Sequence, residues 1–378
     1  MIDEARLLDF FRDLLRIDSP ALREKPCVDR VRQELTSMGL EVHEDDAGAK
    51  LGGDGNNLIA WKRGTLKDAP KIFLSAHMDT VEPTPNIQLV EEDGVIRTDG
   101  KTILGADCKA GVAPAVEALK AFIDTGEPHG DVCLLLSVCE EIGLRGAAVL
   151  DLEGLDLDYG FVLDTGPPVG TFVTRTATHD KLDITVKGKP AHAGKDPENG
   201  INALQVAADA ISGMRLGRIG PETTANLGFV EGGTATNVVM AELRIKAEAR
   251  STSVETLDAQ VAHMRERFEE AAARWGATVT VDHVRHYDSY TVPESAPVVR
   301  IAQRASRNLG FEPTLRTTLG GSDANVYNAK GLPCVVAATG MDKIHTHEER
   351  IEIKDLVDTA RLALELIRVA AKEKRGAL

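Results

Sequence analysis

Several apolar runs in this chain end abruptly in an imidazole or a carboxylate. Ile72 to Ala76 ends in His77, with Asp79 two residues on. Val132 to Val138 ends in Cys139-Glu140-Glu141, Gly160 to Leu163 ends in Asp164, and Leu332 to Ala338 runs into the loop that carries His345 and His347. Asp107 lies between the first two runs, at the start of an apolar helical pattern, where free N–H groups and the helix dipole stabilise a carboxylate. Each feature alone has a structural reading: a satisfied His–Asp loop pair, a helix N-cap, a solvated helix start. Together they put two histidines, His77 and one of the last loop, and four carboxylates, Asp107, Glu140, Glu141 and Asp164, on one rim. Carboxylates crowded in that way repel one another unless cations neutralise them.

Two divalent metals fit such a set. Imidazole and carboxylate donors without thiolate match zinc in open catalytic sites, with cobalt or manganese as substitutes. A paired site needs a shared ligand, and Asp107 is central. His77 and Asp164 complete one metal site, and Glu141 and His345 the other. Asp79 orients the His77 ring through its second nitrogen. Glu140 is left over beside the metals, placed as general base for a bridging water whose pKa they lower.

The elements that must position these residues follow from periodicity. Residues 3–16 and 26–38 read as amphipathic helices, and 42–46 and 57–62 as strands. Residues 82–102 read as polar and irregular. The apolar runs alternate with helices, which predicts an α/β class with a doubly wound, mainly parallel sheet. Ligands in such sheets gather outside the carboxyl ends of the strands. From about 178 the pattern changes to period-two strands such as Lys181–Lys187. Strands and helices then follow in the order β-α-β-β-α-β of a ferredoxin-like unit. Residues 179–290 are expected to form an inserted α+β domain, and residues 1–178 and 291–378 a discontinuous catalytic domain. Gly320-Gly321-Ser322-Asp323 reads as a glycine-rich turn into a short helix, able to offer backbone N–H groups to a substrate.

Composition narrows the partners. The formal charge of −15 argues against a nucleic-acid partner. No apolar run is long enough to span a membrane, the first residues do not read as a signal peptide, and five cysteines without a CxxC pattern read as reduced thiols of a cytoplasmic protein.

The motifs also carry a resemblance. Ser75-Ala-His-Met-Asp-Thr-Val81, Gly105-Ala-Asp-Cys-Lys-Ala-Gly111, Glu140-Glu141, Asp164, Gly188-Lys-Pro-Ala-His-Ala-Gly194 and His345-Thr-His-Glu-Glu349 resemble the co-catalytic di-zinc metallopeptidases. That family includes aminoacylase, glutamate carboxypeptidase, succinyl-diaminopimelate desuccinylase and peptidase T. The resemblance covers nearly the whole chain and implies the metal roles given above. It selects His345 over His347 as the ligand, because the family ligand stands four residues before a glutamate, here Glu349. It implies that the inserted domain is a lid and dimerisation domain, giving a homodimer. It implies that His192 stabilises the oxyanion, that Asn237 and Arg250 contact substrate carbonyl or carboxylate groups, and that the peptide bond after Asp107 is cis. Asp164, the Ile103–Gly111 wording and Arg250-Ser251 lean towards peptidase T, whereas Cys108 departs from the second Asp usual in relatives. The expected activity is therefore a di-zinc aminopeptidase acting on short peptides, most of all tripeptides. The rivals are a related carboxypeptidase, dipeptidase or N-acyl amino acid deacylase, a metal-binding scaffold and a phosphoesterase. No basic phosphate clamp supports the last.

Overall fold

In a computed structural model the described residues are 1–376, and they divide into two compact units. The first comprises Met1–Arg175, Tyr290–Thr317 and the chain from Ser322 onward. Its eight-stranded sheet runs, in spatial order, Glu41–Glu44, Leu58–Lys62, Val132–Ser137, Ile72–His77, Tyr159–Thr165, Cys334–Ala338, Thr171–Arg175 and Thr314–Thr317. The four strands from Val132–Ser137 to Cys334–Ala338 are mutually parallel. Three of them, Val132–Ser137, Ile72–His77 and Cys334–Ala338, are buried at every position. Burial on both faces is why they read as unbroken apolar runs rather than alternating ones. Parallel register sets His77 opposite Ser137 and Ala338 opposite Thr165, so all four carboxyl ends open on one rim.

The helix Ala106–Thr125 is buried over most of its surface. It packs on the His77 strand and against the helices Glu4–Leu15 and Ile353–Ala370. Small residues allow that approach. A Cβ on Gly111 would stand 2.1 Å from the Leu163 carbonyl oxygen and 2.9 Å from the Ala76 Cβ. The helix does not begin regularly: Asp107 and Cys108 lie outside helical φ/ψ, and the bond between them is cis, as the resemblance implied.

Residues 82–102 are not irregular throughout. Leu89–Glu92 and Val95–Thr98 form a hairpin, and Arg350–Glu352 adds a third strand. The turn is Asp93-Gly94, both at positive φ, a strong two-residue hairpin signature. The short strands Thr171–Arg175 and Thr314–Thr317 are too brief to show a clear period in the sequence.

The second unit comprises Thr176–Ser289 and Thr318–Gly321. Its five-stranded antiparallel sheet has the order Gly217–Gly220, Thr223–Gly232, Glu242–Ser251, Thr178–Lys187, Thr278–Tyr287. Without the short edge strand this is the ferredoxin-like arrangement. Helices Ala203–Ser212 and Val254–Trp275 cover one face, around Ile184, Val206, Ile245 and Phe268. The opposite face is polar, as alternation along a half-exposed strand requires. Among the described residues no helix is long and apolar enough to cross a membrane.

Candidate metal centre

His77 ends its strand with a buried ring whose two nitrogens face different partners. Nε2 is 3.1 Å from Asp107 Oδ1 and 3.7 Å from Asp164 Oδ1. Nδ1 lies 3.0 Å from the Asp79 carbonyl oxygen and 3.4 Å from its carboxylate. The ring is therefore fixed by Asp79 through main chain and side chain together. The Asp79 carboxylate also accepts the backbone N–H groups of Glu140 at 3.0 Å and Glu141 at 3.1 Å. One buried aspartate thus ties the His77 strand to the loop holding the two glutamates.

The other oxygen of Asp107 faces the second histidine. His345 Nε2 is 3.2 Å from Asp107 Oδ2 and 3.2 Å from Glu141 Oε1. Donor atoms of His77, Asp107 and Asp164 all lie within 4.8 Å of one another, and so do those of Asp107, Glu141 and His345. Asp107 is common to both groups, with one oxygen toward each. Glu140 stands beside the first, its Oε2 4.0 Å from His77 Nε2. The loops that carry these groups are conformationally strained. His345 has φ 61° and Cys139, before Glu140, has φ 56°, values that non-glycine residues adopt at a cost and that cluster at functional sites.

Electrostatics point the same way. Burial, reinforced by the neighbouring carboxylates, pushes the carboxyls of Glu140 and Asp164 well above their usual range, although His77 opposes it. Burial also disfavours ionised Asp107, but hydrogen bonds from His345 and His77 outweigh it and hold that carboxyl low. The same bonds, from Asp107 and Glu141, raise the His345 imidazole to about 10. His77 is raised as well, its hydrogen bonds to Asp107 and Asp79 overcoming burial. In the absence of metal, hydrogen bonds to the carboxylates thus favour the protonated form of both imidazoles. The donor set, two imidazoles and carboxylates around a shared Asp107, fits two divalent cations. Cys108 Sγ also falls within 4.8 Å of the first group. Burial keeps it a neutral thiol, which donates to the Leu163 carbonyl at 2.7 Å.

Two residues gain roles that sequence reasoning did not give them. Glu349, read only as a marker for His345, is buried, and its carboxylate receives the N–H groups of Leu104 and Gly105 at 2.8 Å and of Asp107 at 2.9 Å. It braces the backbone of the shared aspartate. Asp323, read as part of a glycine-rich turn, is buried and accepts from the Ser137 hydroxyl. Burial pushes its carboxyl up to about 6. Ser322 caps the following helix in a capping box. His347 is exposed and pairs with Glu82 at 2.9 Å.

The remaining expected positions lie in the second unit. His192 is exposed, with Nδ1 accepting from Gly194 N at 3.1 Å. Asn237 lies alongside it, its carbonyl accepting from Ala193 N at 2.9 Å. Arg250 is half-buried and bonded to Glu248 and to the Leu319 carbonyl. A Cβ on Gly321 would stand 2.2 Å from the Tyr287 ring, so that position accepts only glycine without rearrangement.

Comparison with known proteins places this geometry in a family. The model of Peptidase family M20/M25/M40 matches residues 73–369. A Bacillus subtilis (strain 168) protein, YqjE, is 42% identical over 372 residues, covering 98% of this chain and 100% of its own. The crystal structure of aminopeptidase PepT from Bacillus cereus ATCC 10987 is similar with a TM-score of 0.88 and 41% identity, covering 98% of this chain and 100% of that one. A tripeptidase from Staphylococcus aureus subsp. aureus Mu50 is similar with a TM-score of 0.94 and 39% identity, over 99% and 100% of the two chains. A match of this extent, on a rim built for metal ligation, means that the chain belongs to Peptidase family M20/M25/M40 and is a metallopeptidase close to peptidase T.

Proposed function

We propose that this chain is a di-zinc aminopeptidase that hydrolyses short peptides and releases the N-terminal residue of tripeptides. The observation that carries the reading is the pair of ligand groups sharing Asp107, with the buried Glu140 carboxyl beside them. The likeness to a PepT aminopeptidase and a tripeptidase, each near 40% identity over the full length, supports the substrate class. Zinc is favoured because imidazole and carboxylate donors match open catalytic zinc sites. His77, Asp107 and Asp164 would hold one ion, and Asp107, Glu141 and His345 the other. Bound metal supplies Lewis acidity, lowering the pKa of a water and polarising the scissile carbonyl.

The chain's own groups do the rest. Glu140 takes the proton of the attacking water and returns it to the leaving amine. His192 donates to the developing oxyanion. Arg250 binds the substrate's C-terminal carboxylate, and Asn237 and the Gly321 N–H bind peptide backbone. These second-unit assignments rest on the match to the family pattern, as does a homodimer formed through that unit. A zinc-reconstituted panel of di-, tri- and tetrapeptides with N-acyl amino acids, read by product mass, tests the reading. Release of the free N-terminal residue from tripeptides supports it. Cleavage confined to N-acyl amino acids, or release of the C-terminal residue, contradicts it.

A further inference from the structure

On the polar face of the second unit's sheet, one carboxylate is wedged between an imidazole and a guanidinium. Glu248 and Arg250 stand two residues apart on Glu242–Ser251, so their side chains share a face. Arg250 Nε donates to Glu248 Oε1 and Nη2 donates to Oε2, each at 3.1 Å. His179 is opposite Arg250 on the neighbouring strand. Its ring is buried, packed 5.2 Å from the Tyr287 ring centroid, and its Nε2 is 3.0 Å from Glu248 Oε2. Burial holds the imidazole below its usual basicity, and the His179 hydrogen bond, against burial and with help from Arg250, holds the Glu248 carboxyl down to about 2. Both shifts favour the ionised carboxylate and the neutral imidazole. The third bond of Arg250 runs from Nη1 to the Leu319 carbonyl at 3.2 Å.

A guanidinium has five N–H groups in one plane. Three are engaged here, two with Glu248 and one with Leu319. The two left over sit one on each terminal nitrogen, the arrangement a carboxylate takes as a bidentate pair. Glu248 supplies two of the three bonds that fix the plane of the fork.

We infer that Glu248, backed by His179, is the positioning residue that aims Arg250 at a substrate carboxylate and so sets the preference for a free peptide acid over its amide. This rests on the proposed reading of Arg250. The test compares kcat/KM for one tripeptide and its C-terminal amide in the wild type, Glu248→Gln, Arg250→Ala and the double variant, all zinc-loaded. The acid-to-amide ratio should fall about tenfold in Glu248→Gln, the size of one charge-assisted hydrogen bond, with the change in KM rather than kcat. The double variant should fall no further than Arg250→Ala alone. A wild-type or raised ratio in Glu248→Gln, while Arg250→Ala lowers it, overturns the role of Glu248 and leaves the Arg250 reading intact. A further fall in the double variant also overturns it, because Glu248 would then act other than through Arg250. A wild-type ratio in Arg250→Ala removes the underlying reading itself. If Glu248→Gln does not fold, Glu248→Asp, which keeps the charge on a shorter arm, carries the same expectation and the same refutations.

Discussion

Replacing Asp79 with asparagine changes almost no volume and should nevertheless be costly. The wild-type carboxylate is fully buried and offers acceptors on both oxygens, one to Glu140 N–H and one to Glu141 N–H. It also lies 3.4 Å from His77 Nδ1. Asparagine keeps one acceptor and turns the other into a donor. With its oxygen toward Glu140, its amide nitrogen meets the Glu141 N–H; flipped, it meets the Glu140 N–H and the imidazole. Either way one buried N–H loses its partner, at about 1–3 kcal/mol, and the surviving bond loses its charge, at about 1 kcal/mol more. We therefore expect Asp79→Asn to lose about 2–4 kcal/mol of stability in urea unfolding of the zinc-loaded protein. The loop it loosens carries Glu140, so kcat/KM should fall roughly 10²-fold, the usual cost of a misplacement near 1 Å. Metal content should fall less than activity, since Asp79 is outside both ligand groups. A variant within about 0.5 kcal/mol of wild type and with unaltered kcat/KM would refute the bracing role. So would one in which activity per bound metal is preserved.

Four further outcomes follow from the same geometry. Glu140→Ala should abolish turnover while the protein still binds about two metals per chain, measured by elemental analysis; retained turnover contradicts its role as base. His192→Ala should lower kcat by something like 10²–10³, the size of one lost oxyanion donor, and a wild-type rate would return it to a structural part. In the metal-free protein, His345 is raised from 6.5 to about 10, so its contribution to stability is fully present below about 6.5 and lost as pH rises through about 10. Metal must displace that proton, so affinity should climb across this window and uptake should release protons; calorimetry in buffers of different ionisation enthalpy checks this, and proton-neutral binding contradicts it. Gly111→Ala should destabilise the protein by about 1–3 kcal/mol or more, because the added Cβ would meet the Leu163 carbonyl at 2.1 Å; a neutral urea midpoint would show that helix and sheet can part.

The legible part of this protein is its central rim. Buried parallel strands leave unbroken apolar runs in the sequence, so the polar residue at which each run stops is conspicuous. That is how His77, Glu140 and Asp164 stand out, and why the parallel sheet could be expected from them. The ferredoxin-like order of the second unit was legible for the complementary reason, since half-exposed strands alternate. What did not show is what long-range backbone hydrogen bonds do. Glu349 receives the Asp107 N–H across 242 residues of chain, and nothing in His345-Thr-His-Glu-Glu349 distinguishes it from a solvated loop glutamate. The same holds for the Asp79 carboxylate, whose partners are backbone groups 61 and 62 residues away. Asp323 was hidden inside a turn pattern, although its carboxylate is buried against Ser137. Arg250 lies on an alternating strand, and only the structure places its fork on Glu248 and Leu319. The Asp93-Gly94 turn, in contrast, was a local signal available in the sequence.

The central claim is that one aspartate joins two metal sites on this rim. It is tested most directly by anomalous diffraction at the zinc edge from crystals of the zinc-loaded protein. Two peaks are predicted, one in contact with His77, Asp107 and Asp164, and the other with Asp107, Glu141 and His345. A single peak at saturating zinc, or a pair of peaks that do not share Asp107, would contradict the account.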